Sequence, residues 1–186
     1  PPELPRPKAE RFVREHGISA YDAQVLVADK AVADWYERAV AAWGGEAKIV
    51  ANWVINELLR LVKETPDGIA GTRLSPEKLA AILRMLEARE INAAAAKVVL
   101  EEIHRTGADP AQVVKDRGLA QVSDAGAIEA AADEGIAAHP GEVQKFREGK
   151  KALLGFFMGQ VMKRLGGKGD PKVVTRVLQE KLGGPG

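Results

Sequence analysis

Apolar residues recur at spacings of three and four along nearly the whole of this chain, the period of helices that bury one face. Residues 1–17 are the exception, a proline-rich, extended lead-in with a short amphipathic piece around Phe12 and Val13, closed by Gly17. Ser19, with Asp22 after it, caps a helix over 19–28 carrying Tyr21, Val25 and Leu26. Asp29 caps the next, 30–43, which buries Val32, Trp35, Tyr36, Ala39, Val40 and Trp43 before Gly44-Gly45 breaks it. The strongest amphipathic segment is 46–64, with Ile49, Val50, Trp53, Val54, Leu58, Leu61 and Val62 taken as one face and Trp53 expected to meet Trp35 in the core. Ser75-Pro76 opens a helix to about Ala88, Asn92 one to Arg105, and Asp109-Pro110 a short one that Gly118 ends. Ser123 is expected to cap 124–138, and Pro140 to Glu148 is a further short helix stopped by Gly149.

The stretch 150–165 follows. Leu154, Phe157, Met158, Val161 and Leu165 share one face, while Ala152, Gly155 and Gly159 form a strip without bulk. A glycine inside a helix costs about 1 kcal/mol against alanine, so this strip predicts close approach of another backbone, a neighbouring helix first. Gly166 stops the helix, and Asp170-Pro171 starts the last one, to Leu182. The tail 183–186 is expected to be disordered. No segment alternates with period two between hairpin turns, so the fold class is all-α, multihelical, with two small helical subdomains of about four helices and then about three or four.

Composition adds exclusions. The chain has no cysteine, hence no disulfide, thiolate nucleophile or cysteine-ligated metal, which is compatible with the cytoplasm. No apolar run approaches the roughly 18 residues of a membrane span. The opening Pro-Pro-Glu-Leu-Pro-Arg-Pro lacks the apolar stretch of a signal peptide and resembles a link between domains. The net charge of +1 conceals an asymmetry: residues 141–186 hold ten basic and four acidic residues, a net +6, and residues 1–140 carry −5. A basic end on an acidic body suggests an anionic partner for that end.

Candidate catalytic chemistry is absent. His16, His104 and His139 have no second ligand at metal spacing, and the adjacent pairs Glu101-Glu102 and Asp133-Glu134 do not face each other on a helix. Ser19, Ser75 and Ser123 are all accounted for by helix starts. Gly166-Gly167-Lys168-Gly169-Asp170 resembles a phosphate loop superficially, but it follows a helix and lacks the Gly-Lys-Ser/Thr ending. Phe156 leaves the main apolar face of its helix, toward a base or a neighbouring helix. What remains is the cluster Lys150, Lys151, Lys163, Arg164, Lys168, Lys172 and Arg176. Two readings of it stand side by side: a surface for phosphates, or the solvated side of two packed helices.

The order of motifs resembles one family. Leu4-Pro5, Tyr21-Asp22-Ala23, Ala28-Asp29-Lys30, Ala51-Asn52-Trp53-Val54 and Glu57-Leu58-Leu59-Arg60 are similar to the C-terminal part of the B subunit of bacterial aspartyl/glutamyl-tRNA amidotransferases. So are Gly118-Leu119, Gln121-Val122-Ser123-Asp124, Leu154-Gly155-Phe156 and Gly159-Gln160-Val161-Met162-Lys163, so that the likeness runs through nearly the whole chain. The resemblance implies a linker at 1–18 out of a missing catalytic domain, a helical domain at 19–108 and a YqeY-like tail domain at 109–186. The intact enzyme it implies is a ligase of protein biosynthesis. It converts Glu-tRNA(Gln) or Asp-tRNA(Asn) to the amide form, with ATP and ammonia from glutamine. ATP, magnesium and every catalytic and metal-binding residue would then lie in the missing domain. The A and C subunits and tRNA(Gln) or tRNA(Asn) would be the partners, and the seven basic residues above the candidate tRNA contacts. A scaffold for other proteins without RNA contact is the alternative.

Overall fold

A computed structural model describes residues 1–183; of the tail 183–186 expected to be disordered, Gly183 is placed, its N–H donating to Gln179 O at 2.9 Å, and 184–186 lie outside the described residues. The described residues are helical, with no strand among them beyond one isolated parallel bridge between Val122 and Gly169. The elements are α1 Pro5–His16, α2 Ala20–Val27, α3 Lys30–Trp43 and α4 Ala47–Trp53, continued through a π turn Val54–Leu58 into α5 Leu59–Val62. A 3-10 turn Gly68–Gly71 precedes α6 Pro76–Glu87, α7 Ala93–Thr106 and α8 Pro110–Arg117. Then come α9 Ala125–Ala137, α10 Pro140–Arg147, α11 Leu153–Arg164 and α12 Pro171–Leu182.

Most helix starts fall where short polar side chains predict them. Ser19 Oγ accepts from Asp22 N at 3.0 Å, Asp29 from Ala31 N at 2.8 Å, and Ser75 from Lys78 N at 3.1 Å. These caps satisfy backbone donors that no helix can satisfy internally. One cap differs from expectation. Asp124, not Ser123, accepts from Ala127 N at 2.9 Å and starts α9.

The lead-in is the larger correction. Residues 5–16 are not extended but form α1, with Pro5 at its start and Phe12 fully buried. Proline suits a first turn, whose N–H groups have no intrahelical partner. Ion pairs bind α1 to α3: Arg11 to Glu37 at 2.9 Å, and the buried Lys8 to Asp34 and Glu37 at 3.5 and 3.6 Å.

The chain divides into two compact units, one of Pro1–Glu87 with Ala96–Arg117, the other of Ala88–Ala95 with the chain from Gly118 onward. In the first, α3 is central and packs most extensively on α6, with α2 and α4 also against it. α8 rests on α6 with Val113 and Val114 buried, so packing places 109–117 in this unit, whereas the resemblance implies a tail domain beginning at 109.

Trp53 is only half-buried. At 100° per residue the buried positions of α4 and its continuation, Ala47, Val50, Ala51 and Val54, fall within one arc of about 100°, and Trp53 lies on its flank. α3 does pack on α4 as expected, but its fully buried Tyr36 meets Phe12 of α1 edge-on at 5.1 Å, and Trp53 is not a fully buried partner.

The second unit packs α9, α10, α11 and α12 around Ile128, Ala132, Phe146, Phe157, Val161, Val174 and Leu178. Gly135 is buried where α9 meets α11, while the strip Ala152, Gly155, Gly159 is exposed. A methyl group at Gly155 or Gly159 would meet, within 4 Å, no atom of the described residues beyond its own helix backbone and chain neighbours. No helix of the described residues occupies the strip, contrary to expectation.

Candidate nucleic-acid interface

The seven basic residues singled out by sequence fall into two groups along α11. Lys150 and Lys151 precede its first turn, and Lys163 and Arg164 close its last. Twelve helical residues at about 1.5 Å each separate the groups by roughly 18 Å. Lys168 lies in the loop that follows, and Lys172 and Arg176 stand one turn apart at the start of α12. The junction of α11 with α12 thus gathers Lys163, Arg164, Lys168, Lys172 and Arg176, while Lys150 and Lys151 belong to the junction with α10.

These side chains differ in their freedom. Arg164 is committed to the fold: its guanidinium pairs with Glu134 of α9 at 3.5 Å and donates to Gln160 O and Oε1 at 3.1 and 3.2 Å. Gln160 Oε1 also lies 3.2 Å from His139 Nε2, and the His139 ring meets Phe156 edge-on at 4.9 Å. The neighbouring-helix reading of Phe156 is thereby the one the structure shows, with no base needed to explain it. Lys151 Nζ sits 4.2 Å from the centre of the Phe146 ring. Lys150, Lys163, Lys168, Lys172 and Arg176 have no carboxylate within ion-pair distance among the described residues. Lys172, Arg176, Thr175, Pro171 and Gln179 line a shallow groove of about 300 Å³.

Unpaired cations repel one another, so a folded chain keeps them together only at a cost in electrostatic energy that a polyanion would remove. Of the acids of this unit, Asp133 holds Lys181 at 2.7 Å, Glu142 faces His139 at 3.8 Å and Glu134 pairs with Arg164, while Asp170 lies in the loop itself, buried, with Arg89 at 3.4 Å.

The loop Gly166–Asp170 does not form a nucleotide site. At the start of α12 Pro171 has no N–H, Lys172 N donates to Asp170 Oδ1 at 3.0 Å and Val174 N to Asp170 O at 2.9 Å. Asp170 itself is buried at 3% exposure, and its negative charge would repel a phosphate there. Among the described residues no group of three or more His, Asp or Glu side chains is placed to hold a metal ion. No helix of the described residues is long and apolar enough to cross a membrane.

Sequence reasoning missed the residues that hold this loop. Arg89 and Asn92, more than seventy positions earlier in the chain, reach Asp170 and Gly167. Asn92 carries the signal of a helix cap, but nothing in local sequence reveals a second partner so distant.

The fold and this surface define a small all-helical module with a basic face. The chain belongs to the GatB domain family, whose profile matches residues 34–182. It is 58% identical over 185 residues to the B subunit of the aspartyl/glutamyl-tRNA(Asn/Gln) amidotransferase of Anaeromyxobacter dehalogenans strain 2CP-C. The subunits of the same name from Sinorhizobium medicae and Myxococcus xanthus are 49% and 44% identical over 182 residues each. In each case the match covers 98% of this chain but only 36–38% of the relative. The chain thus spans little more than a third of the length of these relatives.

Proposed function

We propose that the chain is the tRNA-docking, non-catalytic part of an aspartyl/glutamyl-tRNA amidotransferase. The observation that carries this is the junction of α11 with α12, where Lys163, Lys168, Lys172 and Arg176 gather without acidic partners among the described residues. Family membership and the tRNA in the relatives' names support the same partner. The activity proposed for the whole enzyme is amidation of Glu-tRNA(Gln) or Asp-tRNA(Asn), with ATP and glutamine-derived ammonia. Nucleotide, magnesium and catalytic groups then reside in the part of the relatives that this chain does not span, together with contacts to the A and C subunits.

In this reading the chain contributes binding and orientation. Phosphates are neutralised by lysines and arginine, and each neutralised phosphate releases counterions, so affinity falls with salt. Compact RNA is recognised through backbone and shape before sequence, which suits ammonium groups on flexible stems and an interface poor in aromatics.

The test is titration of tRNA at several salt concentrations with Lys163→Ala, Lys168→Ala and Lys172→Ala combined. Weaker binding and a shallower salt slope, with the helical circular dichroism unchanged, are expected. Binding equal to the parent at every salt level would sink the reading and leave a protein-interaction scaffold.

A further inference from the structure

The loop between α11 and α12 is held from outside both helices. Asn92, 5% exposed, uses both ends of its amide: Oδ1 accepts from Ala95 N and Nδ2 donates to Gly167 O, both at 2.8 Å. Val122 brackets the next residues, donating to Lys168 O at 2.7 Å and accepting from Asp170 N at 2.8 Å. Gln121 N donates to Glu90 O at 2.7 Å, which ties this strap to the segment before α7. Arg89 donates to Asp170 Oδ2 at 3.4 Å.

Two of these features exceed what a helix cap or a turn requires. Capping α7 needs only an acceptor, which Asp, Ser or Thr would also supply, whereas the bond to Gly167 needs the amide donor of Asn. Arg89 is held at φ 60°, a conformation unfavourable for any residue with a Cβ, and its side chain there reaches a carboxylate that is almost fully buried. Gly166 and Gly167 are both left-handed, at 64° and 76°, and turn the chain out of α11. Gly167 N donates to Met162 O at 2.8 Å and Lys168 N to Leu165 O at 3.2 Å, which close the loop onto α11, and the outside partners add the anchors on Gly167 O, Lys168 O and Asp170.

We propose that Asn92 and Arg89 are positioning residues for the tRNA-facing loop: they fix where Lys168 and the first turn of α12, with Lys172, stand toward phosphate. This rests on the tRNA reading above. A loop ordered beforehand does not lose conformational freedom on binding, so its interactions with phosphate reach the measured affinity undiminished.

Asn92→Asp separates the two bonds. It keeps the acceptor for Ala95 N, and its charge suits a helix start, but it cannot donate to Gly167 O. The chain and its variants are titrated with an unmodified tRNA transcript at several salt concentrations, and melting is followed in parallel. Affinity at about 0.1 M salt should fall roughly five- to eightfold for each phosphate no longer neutralised, with a shallower salt slope. In the Lys168→Ala, Lys172→Ala background the same substitution should have no further effect. Arg89→Gly, which removes the ion pair and relieves the backbone, should behave alike and serves if Asn92→Asp does not fold. Parent-like binding by both variants, while the lysine pair weakens it, would overturn the positioning role and leave the tRNA reading intact. Equal losses in both backgrounds would also overturn it, because the effect would then run through the fold. Parent-like binding by the lysine pair would remove the tRNA reading, and the positioning role with it.

Discussion

Gly135 of α9 faces Gln160 of α11 so closely that a methyl group on the glycine would stand 3.5 Å from Gln160 Cβ and 3.9 Å from an Arg164 guanidinium nitrogen. Those are ordinary van der Waals distances, and the position is helical. Gly135→Ala should therefore stabilise the chain by about 0.5–1 kcal/mol, through lower backbone entropy in the unfolded state. Urea unfolding measures it, and a loss of stability would mean that α9 and α11 cannot accommodate the methyl.

The exposed glycines of α11 behave differently for a different reason. Gly159 lies inside the helix with open space beyond its Cα, so Gly159→Ala should gain about 1 kcal/mol. Gly155, in the first turn, should gain less. Thermal melting of both variants decides whether anything within the chain needs the strip to be bare.

Leu58 is fully buried and Trp53 half-buried, although both sit on one continuous helix. Leu58→Ala should cost about 2–5 kcal/mol, as a buried aliphatic deletion does. Trp53→Ala should cost less, about 1–2 kcal/mol, despite the larger side chain. The order of the two denaturation midpoints is the check, and a larger loss for Trp53 would place it in the core after all.

Two histidines give the first unit a sensitivity to acid. His104 Nδ1 lies 2.7 Å from Thr72 Oγ1, and its Nε2 lies 3.3 Å from Thr65 Oγ1, whose hydroxyl donates to Leu61 O at 2.9 Å. The neutral ring satisfies this set, with Nε2–H donating and Nδ1 accepting. His16 Nδ1 is bonded to Tyr36 Oη at 3.0 Å. Burial depresses both pKa values below the usual histidine range, and the Arg11 charge pushes His16 the same way. As pH falls through about 6.5 the unfolded chain takes up protons first, so stability present above that value is lost toward the lowered folded values. The melting temperature should drop from about pH 7.5 to about pH 5.5, and His16→Gln with His104→Gln should flatten that slope. Asp34, depressed by its bond to Lys30, and Glu77, by a backbone hydrogen bond and Arg38, titrate in a lower window. They are too exposed to imitate the histidine effect.

Much of the fold was legible because its signals are local. Ser19, Asp29, Ser75, Asn92, Asp109 and Asp170 each accept from a backbone N–H two or three residues on. Such a bond depends on side-chain type and short-range geometry alone. The choice between Ser123 and Asp124 shows the limit, because adjacent residues can both cap and only the entry angle of the chain selects one.

The amino-acid order by itself determined the helical class, most helix starts and stops, and the concentration of cations near the carboxyl end, since these follow from periodicity, capping chemistry and charge. Only the tertiary structure decided that the proline-rich lead-in is helix α1 under Phe12, and that Trp53 sits at a flank. It also decided that Arg164 is spent on Glu134 while Lys163, Lys168, Lys172 and Arg176 are not. Nor could sequence show that Asn92 reaches Gly167 across 75 positions. Each of these depends on which element packs against which, a sum over interactions between residues distant in the chain, and no local pattern carries that sum.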